Sequence, residues 1–399
     1  MCRRVSLVVC SRAGKWLGTL PSLDVGTPWW HDVEPVVEIA RQRYGIDIVV
    51  LRLLDVRGEV TYLAELVGDL PRGLPLGGVE DPRALEDHVL RAPWARPGGI
   101  VATVAWADTR LAQLGRPRTG RVVQVKSWNL SSILRLPTAA GDVWCKTVPA
   151  FFAHEGAVIE AVGGWDASLV PPLLAADRRA GTILLGDVPG EDQWTATPSR
   201  LVAMVRKLVA LQASFIRRTP ELLTAGLPDW RAESLSGMAR DLVGRTEVRA
   251  QFSSDEIAAL DALAGELPRR LADLTACGLP ETLVHGDFHP GNWRADGGAL
   301  VLLDWSDSGV GHPMLDFASF LPRVADEARG SVRDAWIDAW AARSSQADAA
   351  RAARLAAPIA AVRCALNYQR FLDGIEPSER RYHEADVAAE LRRALAAAR

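Results

Sequence analysis

The sequence predicts an α+β protein whose strands come first and whose helices come second. Short β-branched and apolar runs, separated by Gly and Pro, recur up to about residue 190 and are typical of strands and turns. Helical patterns with capping residues begin at residue 197. Between positions 283 and 304 a loop and a short hairpin rich in polar residues interrupt the helical region. These observations set the order of the domains and make that loop the first candidate for a functional site.

Length and composition exclude several classes of protein. The 399 residues predict two or three domains. A net charge near −3 gives no basic footprint, so no nucleic acid partner is expected. The five cysteines lack C-x-x-C spacing, which argues against a disulfide framework and a zinc site. The apolar run over residues 5–10 is too short for a signal-peptide core or a membrane span. We therefore expect a cytoplasmic protein with no membrane partner.

Residues 1–120 form the first predicted domain, a small α+β unit. A helix is expected after Pro28, and strands are expected over residues 46–54 and 59–66, on either side of an Arg-Gly turn. Gly and Pro accumulate at 97–99 and 115–120, as is typical of a domain boundary. We expect this domain to be a non-catalytic cap or interaction domain.

Residues 121–190 form a second, strand-rich domain with strands over 122–126, 132–136 and 142–148. The third strand carries Lys146 near its end, where an apolar strand would bury its stem and point the ammonium into a cleft. The alternative is an ordinary exposed lysine. The next helical stretch opens with Glu155, which favours the first interpretation because it offers the lysine an acidic partner. The stretch over residues 183–190 is predicted to be a buried strand that ends in a Pro-Gly turn.

Residues 191–399 are predicted to be mainly helical. Thr197 and Pro198 give an N-cap with proline at the first helical position. Ser253 and Glu256 have capping-box spacing before another apolar pattern. From about residue 324 the chain is rich in Ala, Arg, Asp and Leu, which we interpret as solvated helix faces.

The interrupting loop carries the residues from which a function can be argued. His285, Asp287 and Asn292 follow an apolar run with the spacing H-x-D-x-x-x-x-N, and Asp304 ends the next apolar run. Residues 295–298 predict a tight hairpin turn that brings these groups together. Phosphoryl transfer from a nucleotide needs a carboxylate near the attacking hydroxyl and oxygen ligands for Mg²⁺. The alternative is a β-turn-β segment whose Asp residues only accept hydrogen bonds from turn amides. The ordered set of four polar positions favours catalysis.

This loop, with Leu303-Asp304-Trp305 and the stretch over residues 311–318, resembles the signature of the aminoglycoside phosphotransferase family of small-molecule kinases. The resemblance implies a protein-kinase-like fold of two lobes. The β-rich small lobe would span residues 121–190 and the mainly helical large lobe residues 191–399, preceded by the small α+β domain. That first domain also resembles the α+β core of the Nudix hydrolases, but it lacks their metal-binding helix.

The resemblance implies roles for individual residues. Asp287 would be the catalytic base, Asn292 and Asp304 would be the Mg²⁺ ligands, and Asp316 would be a structural anchor for the loop. In the small lobe it implies an ATP site. Its residues would be Lys146 for the α- and β-phosphates, with Glu155 as the partner of that lysine, Ser131 and Ser132 for further phosphate contacts, and the Gly186 carbonyl and Val188 amide for adenine.

The acceptor is less well defined than the reaction. Asp307, Asp373 and Glu376 are candidates for binding hydroxyl or ammonium groups of a small-molecule acceptor. Together with Glu191 and Asp192 they could supply the acidic pocket that a polycationic aminoglycoside needs, whereas a sugar or amino sugar requires less charge. The sequence therefore leaves open a resistance enzyme and a sugar or amino-sugar kinase. A nucleotide-binding pseudokinase scaffold, which would use the first domain to bind a protein partner, is the alternative from another class.

Overall fold

Strands dominate the first part of the chain and helices the remainder, as the sequence predicts. The computed structural model describes residues 2–344 and 346–399. The chain divides into two units. The first comprises the residues up to Gly156 together with Pro172–Asp187 and Phe371–Glu384. The second comprises Ala157–Pro171, Val188–Arg370 and Ala385–Arg399.

The regular elements are numbered in chain order. The strands are β1 (Arg3–Cys10), β2 (Trp16–Val25), β3 (Asp47–Asp55), β4 (Val60–Val67), β5 (Val123–Ser127), β6 (Ser132–Thr138), β7 (Gly141–Thr147), β8 (Leu173–Asp177), β9 (Thr182–Gly186), β10 (Asp229–Trp230), β11 (Thr282–Val284), β12 (Trp293–Asp296), β13 (Ala299–Leu302) and β14 (Gly309–Gly311). The helices are α1 (Glu34–Tyr44), α2 (Pro82–Leu85), α3 (Gly99–Gln113), α4 (Glu155–Gly163), α5 (Pro198–Phe215), α6 (Thr219–Thr224), α7 (Ala232–Gly244), α8 (Thr246–Arg249), α9 (Ser254–Thr275), α10 (Met314–Phe320), α11 (Asp326–Ala341), α12 (Ala349–Gly374) and α13 (Asp386–Ala398).

The first unit begins with a four-stranded sheet of order β2-β1-β4-β3. Alternate residues of β1 are fully buried, and α1 contributes Val36 and Ala40 to the same apolar core. The strands predicted over 46–54 and 59–66 are confirmed as β3 and β4. Strands β1 and β2 were not predicted; in β2, Gly18 and Pro21 obscure the alternation. The helix expected after Pro28 begins only at Glu34.

A second sheet in the same unit has five strands in the order β5-β6-β7-β9-β8, each antiparallel to its neighbour. It contains the predicted strands over 122–126, 132–136, 142–148 and 183–185. The side-chain amide of Gln124 connects the two sheets. Its Oε1 accepts from the Val50 amide and its Nε2 donates to the Val50 carbonyl, both at 2.7 Å. The boundary predicted near residue 120 therefore falls inside one unit.

A segment near the C-terminus completes the first unit. Helix α12 ends at Gly374, and a 3₁₀ turn follows over Pro377–Tyr382. The Oε1 atom of Glu379 accepts from the Leu53 amide at 2.7 Å, and the Arg52 guanidinium donates to the Ser378 hydroxyl at 3.0 Å. This segment lies within the range predicted for the helical lobe, yet it packs on the N-terminal sheet.

The second unit is mainly helical and carries the interrupting loop. The capping box predicted at the start of α9 is confirmed. The Ser253 hydroxyl accepts a hydrogen bond from the Glu256 amide, and the Glu256 carboxylate accepts one from the Ser253 amide. The hairpin predicted over 295–298 is confirmed as the turn between β12 and β13. A three-stranded sheet of order β10-β14-β11 leads the chain into the loop. Among the helices of the described residues, none is long and apolar enough to span a membrane.

Candidate active site

The loop that follows β11 is held by buried main-chain contacts. His285 is fully buried, and its Nε2 lies 3.0 Å from the Leu303 carbonyl. Burial lowers the pKa of His285 to about 4, so the ring is neutral near pH 7. Gly286 has φ +86°, and a Cβ there would lie 2.0 Å from the Asp307 carbonyl. Only glycine combines this positive φ with such a close approach to the Asp307 main chain.

Asp316 anchors this loop, as predicted. Its two carboxylate oxygens accept the main-chain N–H groups of His285 and Gly286, each at 2.9 Å. Gln212 from α5 donates to the same carboxylate at 2.9 Å, and the Arg363 guanidinium donates to the Gly286 carbonyl at 2.6 Å. Asp316 is fully buried. The carboxylate thus replaces the strand partners that the loop amides lack.

Asp287 stands at the open end of this loop with three polar neighbours. His289 Nε2 lies 3.2 Å from its Oδ2, and Arg323 Nη1 lies 3.1 Å from its Oδ1. Asn292 Nδ2 donates to its main-chain carbonyl at 2.9 Å. Desolvation raises the pKa of Asp287, but the hydrogen bond and charge of His289 and the charge of Arg323 outweigh it and hold that pKa well below its usual range. The carboxylate is therefore ionised and fixed in direction.

Asp304 lies on a strained piece of backbone beside the loop. Its φ is +59°, and every other non-glycine residue that the structure describes has a negative φ. Such conformations cost free energy and concentrate at functional sites. The Leu303 amide donates to the Asn292 carbonyl at 2.7 Å, so the end of the hairpin is tied to the loop. This bond places the Asp304 and Asn292 positions next to each other.

The oxygen atoms of Asn292 and Asp304 suit a hard divalent cation. The pKa of Asp307 supports a cation site here. Burial and the negative charges of Asp287 and Asp304 raise that pKa to about 7. Negative charge is thus concentrated here. Within residues 2–344 and 346–399, no group of three or more His, Cys, Asp or Glu residues is arranged to hold a metal. Two protein ligands nonetheless fit Mg²⁺, which typically uses one or two carboxylates and completes its shell with phosphate and water.

An exposed aromatic side chain borders this loop and was not predicted. The Trp194 indole stacks on His289 with ring centroids 4.9 Å apart and an interplanar angle of 14°. A Cβ on Gly291 would lie 2.4 Å from the indole nitrogen, so this glycine makes room for the tryptophan. Trp194 remains 53% exposed. Neither Trp194 nor Arg323 lies in a sequence pattern that identifies it, because both reach the loop from segments distant in the chain.

Lys146 and Glu155 form the ion pair expected from the sequence. Lys146 Nζ lies 2.7 Å from Glu155 Oε1, and the two side chains are 11% and 2% exposed. Strand β7 presents the lysine between β6 and β9, and Glu155 opens α4. The acidic partner of Lys146 is thus Glu155, as predicted.

The remaining nucleotide-binding candidates are buried or half-buried. Ser131 and Ser132 are both buried, and the Ser131 hydroxyl accepts from the Trp128 indole at 2.9 Å. The Gly186 amide donates to the Pro172 carbonyl at 2.8 Å. Val188 belongs to the other unit and is half-buried. The structure therefore gives Ser131 a role inside its own loop, whereas the Gly186 carbonyl and the Val188 amide stay predictions for adenine.

The three acceptor candidates lie in different environments. Asp307 accepts from the Asn367 side-chain amide and is near Asp287. Asp373 is exposed at the end of α12. Glu376 is buried between Arg91, which contacts it at 2.8 Å, and Arg52 at 3.5 Å. We expected Glu376 to bind the acceptor. The structure contradicts this, because two buried guanidinium groups of the first unit already bind its carboxylate.

Comparison with known proteins places these residues in a family. The model of the family described as "Phosphotransferase enzyme family" matches residues 110–355, which is more than half of the chain. No curated protein sequence matches. The N-terminal stretch before residue 110 lies outside the family match, and nothing in the comparisons supports the Nudix resemblance of that stretch.

Solved structures show the same fold. A macrolide 2′-phosphotransferase from Brachybacterium faecium superposes with a TM-score of 0.50 at 17% identity, over 72% of this chain and 98% of that chain. The choline kinase of Streptococcus pneumoniae gives 0.52 at 14% identity, over 74% and 98%. The GDP complex of aminoglycoside 2′-phosphotransferase-IIIa gives 0.51 at 14% identity, over 74% and 98%. With the family match over the catalytic loop, the chain belongs to the phosphotransferase enzyme family and is a small-molecule kinase with a protein-kinase-like fold.

Proposed function

We propose that this protein transfers the γ-phosphoryl group of ATP to a hydroxyl group of a small polar molecule, in a Mg²⁺-dependent reaction. The observation that carries the proposal is the geometry of Asp287. Its carboxylate is ionised, directed by Arg323 and His289, and tied through its main chain to Asn292. A carboxylate in this state can accept a hydrogen bond from a hydroxyl and orient its oxygen for in-line attack.

Asn292 and Asp304 are the residues that would hold the metal. Mg²⁺, when bound, neutralises charge on the β- and γ-phosphates. Lys146, fixed by Glu155, would bind the α- and β-phosphates as a point charge. Asp287 would direct the acceptor hydroxyl, and neutral His285 would keep the loop in shape through Leu303. Positioning and electrostatics then supply most of the rate, and no covalent enzyme intermediate is needed.

The acceptor is proposed to be an aminoglycoside, an amino sugar or a sugar. The structural neighbours include a macrolide phosphotransferase and a choline kinase, so the fold does not fix the acceptor. Asp307 and Asp373 stay candidates for binding acceptor hydroxyl or ammonium groups. Trp194 joins them, because an exposed indole beside the proposed base offers a flat apolar surface to one face of a ring.

The test is ATP consumption by the purified protein with Mg²⁺ across aminoglycosides, amino sugars, sugars and amino alcohols. Asp287→Asn is compared with the wild type, and Asp338→Asn, at an exposed position of α11, serves as the matched control. We expect acceptor-dependent turnover that falls by several orders of magnitude in Asp287→Asn alone. Equal turnover in Asp287→Asn would refute its role as base. Nucleotide binding without turnover on any acceptor would favour the scaffold alternative.

A further inference from the structure

A cavity of about 220 Å³ lies inside the first unit, and its lining includes Glu376 but none of Lys146, Asp287, Asn292 and Asp304. Its wall combines a segment of the N-terminal domain, the loop between β5 and β6, and the end of α12 with the 3₁₀ turn that follows. Representative lining residues are Arg91, Trp94, Asn129, Pro149, Ile375 and Glu379. One water needs roughly 10–15 Å³. The cavity therefore has room for far more than an isolated structural water.

Two buried polar side chains that line the cavity have unused hydrogen-bonding atoms. Asn129 is 4% exposed, and its Nδ2 donates to the Glu379 carbonyl at 3.1 Å. Its Oδ1 has no partner among the residues that the structure describes. Glu379 is also 4% exposed and uses Oε1 to accept from the Leu53 amide. Its Oε2 likewise lacks a partner within the described part of the chain. Buried polar atoms are normally satisfied, so both point to a group that is supplied from outside the chain.

The charged side chains around the cavity disfavour a cationic ligand, because the exposed Arg179 also lines it. Arg91 and Glu376, which both line it, pair with each other at 2.8 Å. Burial raises the pKa of Glu379 to about 8, and the charge of Glu376 adds to this effect, so Glu379 is mainly protonated at neutral pH. The cavity therefore offers the Asn129 amide oxygen as an acceptor and the Glu379 carboxyl as a donor or acceptor.

The size and the side walls limit the ligand further. Sites for drug-sized ligands occupy roughly 300–1,000 Å³, so this cavity suits a smaller molecule. Trp94, Pro149 and Ile375 give it apolar sides. A ligand that fits carries O–H or N–H donors at one end and a compact C–H surface elsewhere.

We propose that this cavity is a binding site for a compact neutral polyol, such as a monosaccharide, with its hydroxyl groups on Asn129 and Glu379. The site is built entirely from the first unit, and most of its residues precede the family match or follow it. It therefore does not depend on the phosphotransfer proposal. Binding there can be measured without nucleotide.

The experiment titrates the full-length protein, without nucleotide, with glucose as the neutral probe and with glucosamine and ethanolamine as amine-bearing comparisons, and follows binding by calorimetry and ligand-observed NMR. Ala180→Phe narrows the cavity, since Ala180 is an exposed turn residue that lines it. Ala140→Phe, at an exposed turn of the same sheet, is the matched control. Asp287→Asn identifies binding that belongs to the catalytic loop instead.

We expect glucose to bind the wild type, Ala140→Phe and Asp287→Asn alike, and to bind Ala180→Phe at least tenfold more weakly. Asn129→Leu should weaken binding while the protein still unfolds cooperatively. If glucose does not bind, or if its binding is insensitive to Ala180→Phe and Asn129→Leu, the proposal is wrong.

Discussion

The carboxylate of Asp316 accepts the main-chain N–H of Gly286 at 2.9 Å, one residue before the proposed base. The same carboxylate accepts the His285 amide at 2.9 Å. In Asp316→Asn, an NH₂ group would face one of these donors. We expect a loss of about 1–3 kcal/mol of unfolding free energy, because a buried donor loses its acceptor, and a lower kcat. Thermal unfolding and initial rates check this against Asp338→Asn. Unchanged stability would show that the loop does not depend on this anchor.

Two substitutions of Asp304 can separate the effect of backbone strain on stability from the effect of the lost carboxylate on turnover. Its φ of +59° suits glycine better than any residue with a Cβ. Asp304→Gly and Asp304→Ala both remove the carboxylate, so both should lose turnover by orders of magnitude. Their stabilities should differ, with the glycine variant about 1 kcal/mol more stable than the alanine variant. Chemical denaturation measures the difference. Equal stabilities would contradict the left-handed conformation, and retained turnover would contradict the metal-ligand role.

Trp194 is expected to act through His289. In Trp194→Ala the stacking contact disappears, and His289 loses the surface that holds it beside Asp287. Aromatic contacts of this kind contribute roughly 0.5–1.5 kcal/mol, so kcat/KM should fall by a factor of about 2 to 12. Trp194→Phe retains a stacking ring and should restore most of the activity. Since Trp194 is half exposed, the unfolding temperature should barely change. A large drop in stability without rescue by Phe would assign it a merely structural role.

Glu376 is expected to matter for stability and not for the acceptor. In Glu376→Gln the guanidinium groups of Arg91 and Arg52 lose their buried counter-charge. Breaking a buried pair from one side costs roughly 3–5 kcal/mol. The unfolding temperature should therefore drop, whereas the KM for the acceptor, measured well below that temperature, should stay within a factor of about two. A raised acceptor KM with normal stability would restore the original expectation for this residue. Replacing Glu376 and Arg91 together by Leu and Met should recover part of the stability.

Glu379 is expected to make stability depend on pH. Its pKa in the folded protein is about 8, chiefly because it is buried, against 4.5 for the ordinary carboxyl. The folded state thus binds a proton that the unfolded state has released between these values. Its stabilising contribution is complete below pH 4.5 and is lost as the pH rises through about 8. Glu379→Gln should remove this component, so the stability difference between wild type and variant should change by a few kcal/mol between pH 5 and pH 9. A constant difference would contradict the raised pKa.

The sequence predicted those parts of the molecule that short-range rules determine. Strands β3 and β4, the capping box at Ser253, the hairpin at 295–298 and the pairing of Lys146 with Glu155 each follow from alternation or fixed spacing. The family resemblance, carried by the motif around residues 311–318, also implied that Asp316 anchors the loop, and the structure confirms this. All of these depend on residues that are close in sequence or belong to one motif.

The remaining features depend on contacts that no local pattern encodes. Trp194 and Arg323 reach Asp287 or its neighbour from outside the loop. Glu376 was expected to bind the acceptor because its carboxylate could receive hydroxyl or ammonium groups, but its actual partner Arg91 lies 285 positions earlier in the chain. The first domain was treated as separable because its boundary is rich in Gly and Pro, but the Gln124 side chain pairs with Val50 across it.

The return of the segment Phe371–Glu384 to the N-terminal sheet has a consequence for biosynthesis. Arg52 meets Ser378 across 326 positions of chain, so the contacts of the N-terminal sheet are completed only after this later segment has been synthesised. Until then Arg52 and Arg91 lack the carboxylate that neutralises them, and the nascent N-terminal domain is exposed to chaperones and proteases. Translation that stops before Glu376 would leave both arginines without this partner, so premature termination should produce a chain that is degraded rather than a smaller enzyme.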